Sequence, residues 1–185
     1  GCRVNRAEKP KEGRANDPFD ICLIGLTAQA AAAIGPGVEF VTDEQIEYDD
    51  PRQDGAYYFF IGFPQKNLRL DLRKNIVRCE SLSYGSILYQ GQRGVWRVPD
   101  GGDYIDLDFD PTKTVDDTGR RVRTPHPKGI SGCAIWKLYR PGIKSEDWSV
   151  NGIRLVAIEH RWHSQLHVLR GTLYCYVNQL VKNNY

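Results

Sequence analysis

The chain has 185 residues and 21.1 kDa, 41% of them hydrophobic and 26% charged, with 25 basic against 23 acidic side chains for a net charge of +2. These proportions fit one large or two small folded domains and exclude a disordered tail. The apolar runs fall far short of the eighteen or so residues that a membrane helix needs, and the interleaved charges give no broad basic footprint, so neither a membrane nor a nucleic-acid partner is expected.

Residues 2 to 18 read as an exposed loop rich in charge and turn formers. Directly after Asp20, the continuous apolar run Ile21-Cys-Leu-Ile-Gly-Leu26 has the length of a strand buried on both faces. Thr27 to Ile34 is Ala-rich and predicts one or two helical turns stopped by Gly35-Pro36-Gly37. Val38 to Asp54 is acidic and irregular, the composition of a linker between two halves. Ala56-Tyr-Tyr-Phe-Phe-Ile-Gly-Phe-Pro64 is dense in aromatic and β-branched residues and ends at proline, a strand signal. Further strands are expected at Ile76–Cys79, Ser86–Tyr89, Val95–Val98, Tyr104–Phe109, Ala134–Leu138 and Ile153–Ile158, a spacing that suits a β-barrel or sandwich. Leu173, Val177, Leu180 and Val181 sit at helical spacing and predict a short amphipathic C-terminal helix.

Five cysteines, Cys2, Cys22, Cys79, Cys133 and Cys175, lack the paired C-x-x-C of a zinc site and read as buried thiols. The polar start lacks the apolar core of a signal peptide, so a reducing, cytoplasmic location is expected. His160-x-x-His163-x-x-x-His167 would suggest zinc on a helix, but the flanking strand residues favour a hairpin. Asp106-Leu-Asp108-Phe-Asp110 mimics a calcium loop, yet Pro111 stands where the turn requires glycine, and the alternation with Ile105, Leu107 and Phe109 predicts a half-buried strand with an acidic outer face. Arg120-Arg121-Val-Arg123 reads as a solvated loop beside Asp116 and Asp117. No metal and no cofactor is expected.

The most informative string is Pro125-His-Pro-Lys-Gly129-Ile-Ser131-Gly132-Cys-Ala-Ile-Trp, a Gly-x-Ser-Gly turn running straight into an apolar strand. Flanking glycines let the backbone bend so that the amides of Gly129 and Ser131 can face a developing oxyanion. Taken alone, the tetrapeptide is better explained by an ordinary Gly-rich hairpin. The order of the whole chain is more telling: Asp20 opening an apolar strand, an aromatic strand ending Gly62-Phe-Pro64, Gly129-Ile-Ser131-Gly132, Leu155-Val-Ala-Ile158, Gly171-Thr-Leu-Tyr and a terminal helix.

In that order the chain, over residues 14 to 185, resembles the trypsin-like serine peptidases of the chymotrypsin fold, in particular bacterial members. The resemblance implies an all-β, chymotrypsin-like double β-barrel: residues 1–28 a remnant of the first barrel, 29–55 the linker between barrels, and 56–185 a nearly complete second barrel with its helix. It implies Ser131 as nucleophile, Asp20 as the carboxylate that orients the catalytic imidazole, and Gly129 and Ser131 as oxyanion donors. His160, Arg161 and Trp162 would pair with substrate along an exposed edge, and Gly171 would stand on the wall of the specificity pocket. Ile130 replaces the aspartate that answers a new N-terminus in zymogen-activated members, Cys133 replaces a second glycine, and Pro125 replaces the acid that selects Lys or Arg.

The largest departure is the general base. In the family it precedes the aspartate, but His126, His160, His163 and His167 all follow Asp20, and the nineteen residues before it hold no histidine. With no Met anywhere, position 1 included, the sequence is expected to be the C-terminal portion of a longer protein, its histidine supplied by a missing N-terminal segment or a second chain. The expected function is a serine endopeptidase acting on a peptide or protein substrate, inactive as this chain alone. The alternative is a catalytically inactive peptidase-like module that binds a partner peptide or protein.

Overall fold

A computed structural model describes residues 21, 24–34, 39–71, 73–91, 104–116, 118–139 and 149–184. Asp20, Cys2, Cys22, the opening loop, the Gly35-Pro36-Gly37 stop and the expected strand at 95–98 lie outside the described residues.

The organising element is a six-stranded antiparallel sheet curled into a half-barrel. Its strands are β1 (Tyr57–Gly62), β4 (Leu82–Ser86), β5 (Tyr104–Asp108), β6 (Ala134–Tyr139), β7 (Arg154–His163) and β8 (Val168–Leu173), hydrogen-bonded in the order β4-β1-β6-β7-β8-β5. The two outermost strands meet beyond the end of β4, where Leu88 bridges Leu107 and the Tyr89 and Asp108 amides donate to the Asp106 and Ile87 carbonyls at 2.9 and 3.0 Å. Between β1 and β4, β2 (Leu68–Asp71) and β3 (Ile76–Cys79) form a separate small hairpin.

Side-chain alternation explains the curl. Tyr58 and Phe60 of β1, Ile105, Leu107 and the following Phe109 of β5, Ile135 of β6, Ala157 of β7 and Leu169 of β8 are fully buried and form one continuous core. Phe60, Tyr84 and Phe109 stack within it at centroid distances of 4.6 to 5.9 Å. On β7 the register against β8 slips between Glu159 and Arg161, so His160 is an extra residue, a β-bulge. The terminal helix α2 (Tyr174–Asn184) follows β8 directly and buries Val177. The linker is tied to the barrel by an Ile46–Leu155 bridge, by Lys137 on Glu47 at 3.3 Å, and by Tyr58, whose hydroxyl donates to the Pro51 carbonyl at 2.7 Å. No helix among the described residues is long and apolar enough to cross a membrane.

Three sequence expectations need correcting. Ile21–Leu26 contributes no named strand among the described residues, and Ile24 and Leu26 stand 59% and 49% exposed, because an apolar strand is buried only where neighbours cover it. β4 begins four residues earlier than expected: Leu82 and Tyr84 pack against the core while Gly85, which reads as a turn residue, sits within the strand. Asp106 does not face solvent. It lies opposite Arg170 of β8, whose Nε and Nη2 reach its two carboxylate oxygens at 2.7 and 2.8 Å, with the guanidinium 5.1 Å above the Tyr104 ring. Asp108 is exposed, as the alternation expects. The Ala-rich segment does form a helix, α1 (Ala28–Ala32), capped by the Thr27 hydroxyl accepting from the Ala30 amide at 3.1 Å.

Candidate functional site

Two consecutive tight turns present Ser131. The Ile130 amide donates to the Pro127 carbonyl at 3.1 Å and the Cys133 amide to the Ile130 carbonyl at 3.0 Å. Each turn has glycine at its third position, Gly129 with φ +97° and Gly132 with φ +94°, the left-handed geometry that a type II turn demands. Between them, Ile130 drives its side chain into the core and is 2% exposed, which turns the next residue, Ser131, out to solvent. Among the described residues, neither the Gly129 nor the Ser131 amide donates a hydrogen bond within the protein. Both remain available to an incoming acceptor.

Neighbouring strands make room for the turn. Gly62 ends β1 beneath Ile130: a Cβ there would lie 2.8 Å from the Ile130 Cβ and 2.9 Å from its Cγ2. Gly129 in turn lies against Gln65, whose amide donates to the Lys128 carbonyl at 2.8 Å. Replacing Gly62 by Ala therefore overpacks the Ile130 socket at an expected cost of about 1–3 kcal/mol in urea unfolding. In a background of Ile130→Gly the same substitution should cost much less, because both clashing atoms, Cβ and Cγ2, are gone. Equal cost in both backgrounds would show that Gly62 acts through something other than Ile130.

The far side of the turn is bound to β7. The Gly132 amide donates to the Glu159 carbonyl at 2.7 Å, the Glu159 amide to the Cys133 carbonyl at 2.9 Å, and the Ser131 Oγ to the His160 carbonyl at 3.4 Å. Pairing of β7 with β6 runs only as far as Ile158 opposite Ala134, whereas pairing with β8 continues through Arg161, Trp162 and His163. Among the described residues, β7 beyond Glu159 is ladder-paired with β8 and no longer with β6. Beneath the turn, burial and then the Glu159 carboxylate push the Cys133 thiol up to about 12, so it stays protonated and is no competing nucleophile.

None of the described imidazoles hydrogen-bonds Ser131. His126 accepts the Lys128 amide on Nδ1 at 3.1 Å and meets the Trp162 ring edge-on at 4.6 Å. His160 packs 5.7 Å from the Tyr104 ring. His163 is pushed down to about 4, first by burial and then by Arg170 and Arg161, and is neutral at pH 7. His167, at φ +54° in the β7–β8 turn, lies 3.7 Å from the Asp110 carboxylate. That carboxylate is held at about 2, chiefly by the Thr112 hydroxyl and amide. The three histidines of the suspected zinc spacing fall on a hairpin, and among the described residues no metal-binding group of side chains forms.

A cleft of about 820 Å³ is lined by Trp162 of β7, by Pro125 and His126, and by Lys66, Arg121 and Arg123 among others. Of the residues expected to contact substrate, Pro125 and Trp162 line it. Arg161 is exposed on the same strand, and His160 offers its carbonyl to Ser131. Gly171 lies in the barrel interior, where a Cβ would come within 2.5 Å of the Ile135 Cδ1, and is not in the cleft wall. Lys66, His126, Arg121 and Arg123 went unnoticed in the sequence as cleft residues. The Arg120–Arg123 run carries the charge but nothing that says what it faces, and Lys66 has no local signal at all.

Comparison of the chain with protein-family models, with curated proteins and with solved structures finds no match to any of them.

Proposed function

We propose that this chain carries the nucleophile and substrate cleft of a serine endopeptidase of trypsin-like, chymotrypsin-type fold, whose base comes from a segment or chain outside this sequence. The observation that carries the reading is Ser131 itself: an exposed hydroxyl on a glycine-flanked turn, anchored by buried Ile130, with two undonated amides beside it. A curled antiparallel sheet ending in a helix is the setting that reading expects for the second barrel. Exposed Ile24 and Leu26, which follow Asp20 in the sequence, are apolar surface for the rest of a first barrel to cover.

The chemistry is acyl transfer. A histidine oriented by Asp20 takes the Ser131 proton as Oγ attacks the scissile carbonyl carbon, and the Gly129 and Ser131 amides hold the resulting oxyanion. The imidazolium then returns the proton to the leaving amine, and water, deprotonated by the same base, releases the acyl group from Ser131. A seryl hydroxyl without an adjacent base is a weak nucleophile. The chain alone is therefore expected to react only slowly with a serine-directed fluorophosphonate, whereas addition of the histidine-bearing segment gives rapid labelling at Ser131. Labelling that persists in Ser131→Ala, or rapid Ser131 labelling of the chain alone, would overturn the proposal. The second outcome would place the base on one of the four histidines here.

The absence of an imidazole hydrogen-bonded to Ser131 among the described residues favours a second reading, a catalytically silent module that holds a partner peptide along His160 to Trp162. That reading predicts no labelling after complementation, with peptide binding retained.

A further inference from the structure

The cleft beside Trp162 is one-sided in charge. Lys66, Arg121, Arg123 and His126 line it, and no carboxylate among the described residues does. Among the described residues, the side chains of Lys66, Arg121 and Arg123 have no ion pair and no hydrogen bond, so their charges are not spent on neighbours. The nearest acids in sequence among the described residues are engaged elsewhere. Asp110 accepts from Thr112 and lies 3.2 Å from Lys113 Nζ, and Asp116 accepts from the Thr118 amide and hydroxyl and the Arg120 amide, closing the tight turn that precedes Arg121. Trp162 adds an apolar wall. Several cations and an apolar wall make a site for a carboxylate on an aliphatic stem.

Position says which carboxylate. Ser131 touches β7 at the His160 carbonyl, and Trp162 lies two residues further along, about 7 Å on an extended strand. A peptide paired to the open edge of β7, with a carbonyl near Ser131, would turn a side chain next to its reacting bond into the cleft. We propose that this cleft is a specificity pocket for an acidic side chain, glutamate or aspartate, of such a peptide, with Arg121, Arg123 and Lys66 as the selecting charges. The placement of the peptide rests on the peptidase reading; the charge preference rests on the cleft alone.

Fluorescence anisotropy with labelled tetrapeptide amides that differ only in a C-terminal Glu, Gln or Lys tests this without any turnover. The Glu peptide is expected to bind about tenfold more tightly than the Gln peptide, as charge-assisted hydrogen bonds to a carboxylate imply, and the preference to shrink as salt rises. It should vanish in Arg121→Gln/Arg123→Gln, weaken in Lys66→Gln and persist in Ser131→Ala, with thermal melting confirming that each variant folds. Equal affinity for the Glu and Gln peptides would overturn the proposal. So would a preference that survives the double arginine variant, or tighter, arginine-dependent binding of a single-stranded oligonucleotide, which would make the cleft a polyanion site. Glutamate selectivity without fluorophosphonate labelling of the complemented protein retires the peptidase reading and keeps the pocket for an acidic side chain, and labelling without selectivity does the reverse.

Discussion

Asp20→Asn, introduced into protein complemented with the histidine-bearing segment, is expected to lower peptide turnover by a factor on the order of ten thousand with the melting temperature unchanged. An asparagine keeps the size and most of the hydrogen bonding of the side chain but cannot hold the imidazole in the tautomer that accepts the seryl proton, nor stabilise the imidazolium that follows. The loss should appear in kcat at near-constant KM, because Asp20 acts through the base and not on the substrate. Unchanged turnover would remove Asp20 from the site and leave Ser131 served by some other carboxylate.

The second large effect concerns stability. Asp106 and Arg170, 6% exposed each, form a two-pronged pair on opposed residues of β5 and β8. Asp106→Ala strands the guanidinium in that site beside His163 and should cost about 3–5 kcal/mol in urea unfolding with an unchanged m-value. Removing both charges, as in Asp106→Leu/Arg170→Met, should recover most of that loss, since the penalty lies in the uncompensated charge and not in the missing attraction. If Asp106→Ala costs less than about 1 kcal/mol, the pair behaves as a surface ion pair and its burial is unimportant.

Alternation was readable wherever one face of a strand meets the core. Tyr58 and Phe60, and then Ile105, Leu107 and Phe109, announce β1 and β5 because the two-residue period is imposed by burial itself. It was unreadable in β2, where Leu68, Arg69 and Leu70 are all exposed and no core imposes a pattern. Alternation also tells which face a residue takes and not what covers that face, so Asp106 read as solvated while Arg170 waited on a strand far along the chain. At the site, Gly129, Ser131 and Gly132 were legible because glycine marks positive φ locally. The convergence of Lys66 with Arg121 and Arg123 belongs to the fold and left no local trace.

The bulge at His160 decides which length changes this region can tolerate. Ala157 and Glu159 share the parity of the barrel interior, facing Leu173 and Gly171, and in a regular strand Arg161 would come next. The extra residue resets the count, so that Trp162 lies opposite Leu169 and meets Phe109 edge-on at 6.2 Å. Deleting one residue between Glu159 and Trp162 would remove the bulge and leave a regular strand with Trp162 still opposite Leu169. Deleting both would bring Trp162 opposite Arg170 and turn the indole to the other face. The stretch can therefore lose its one extra residue without changing which side chain faces the core, and no more than that.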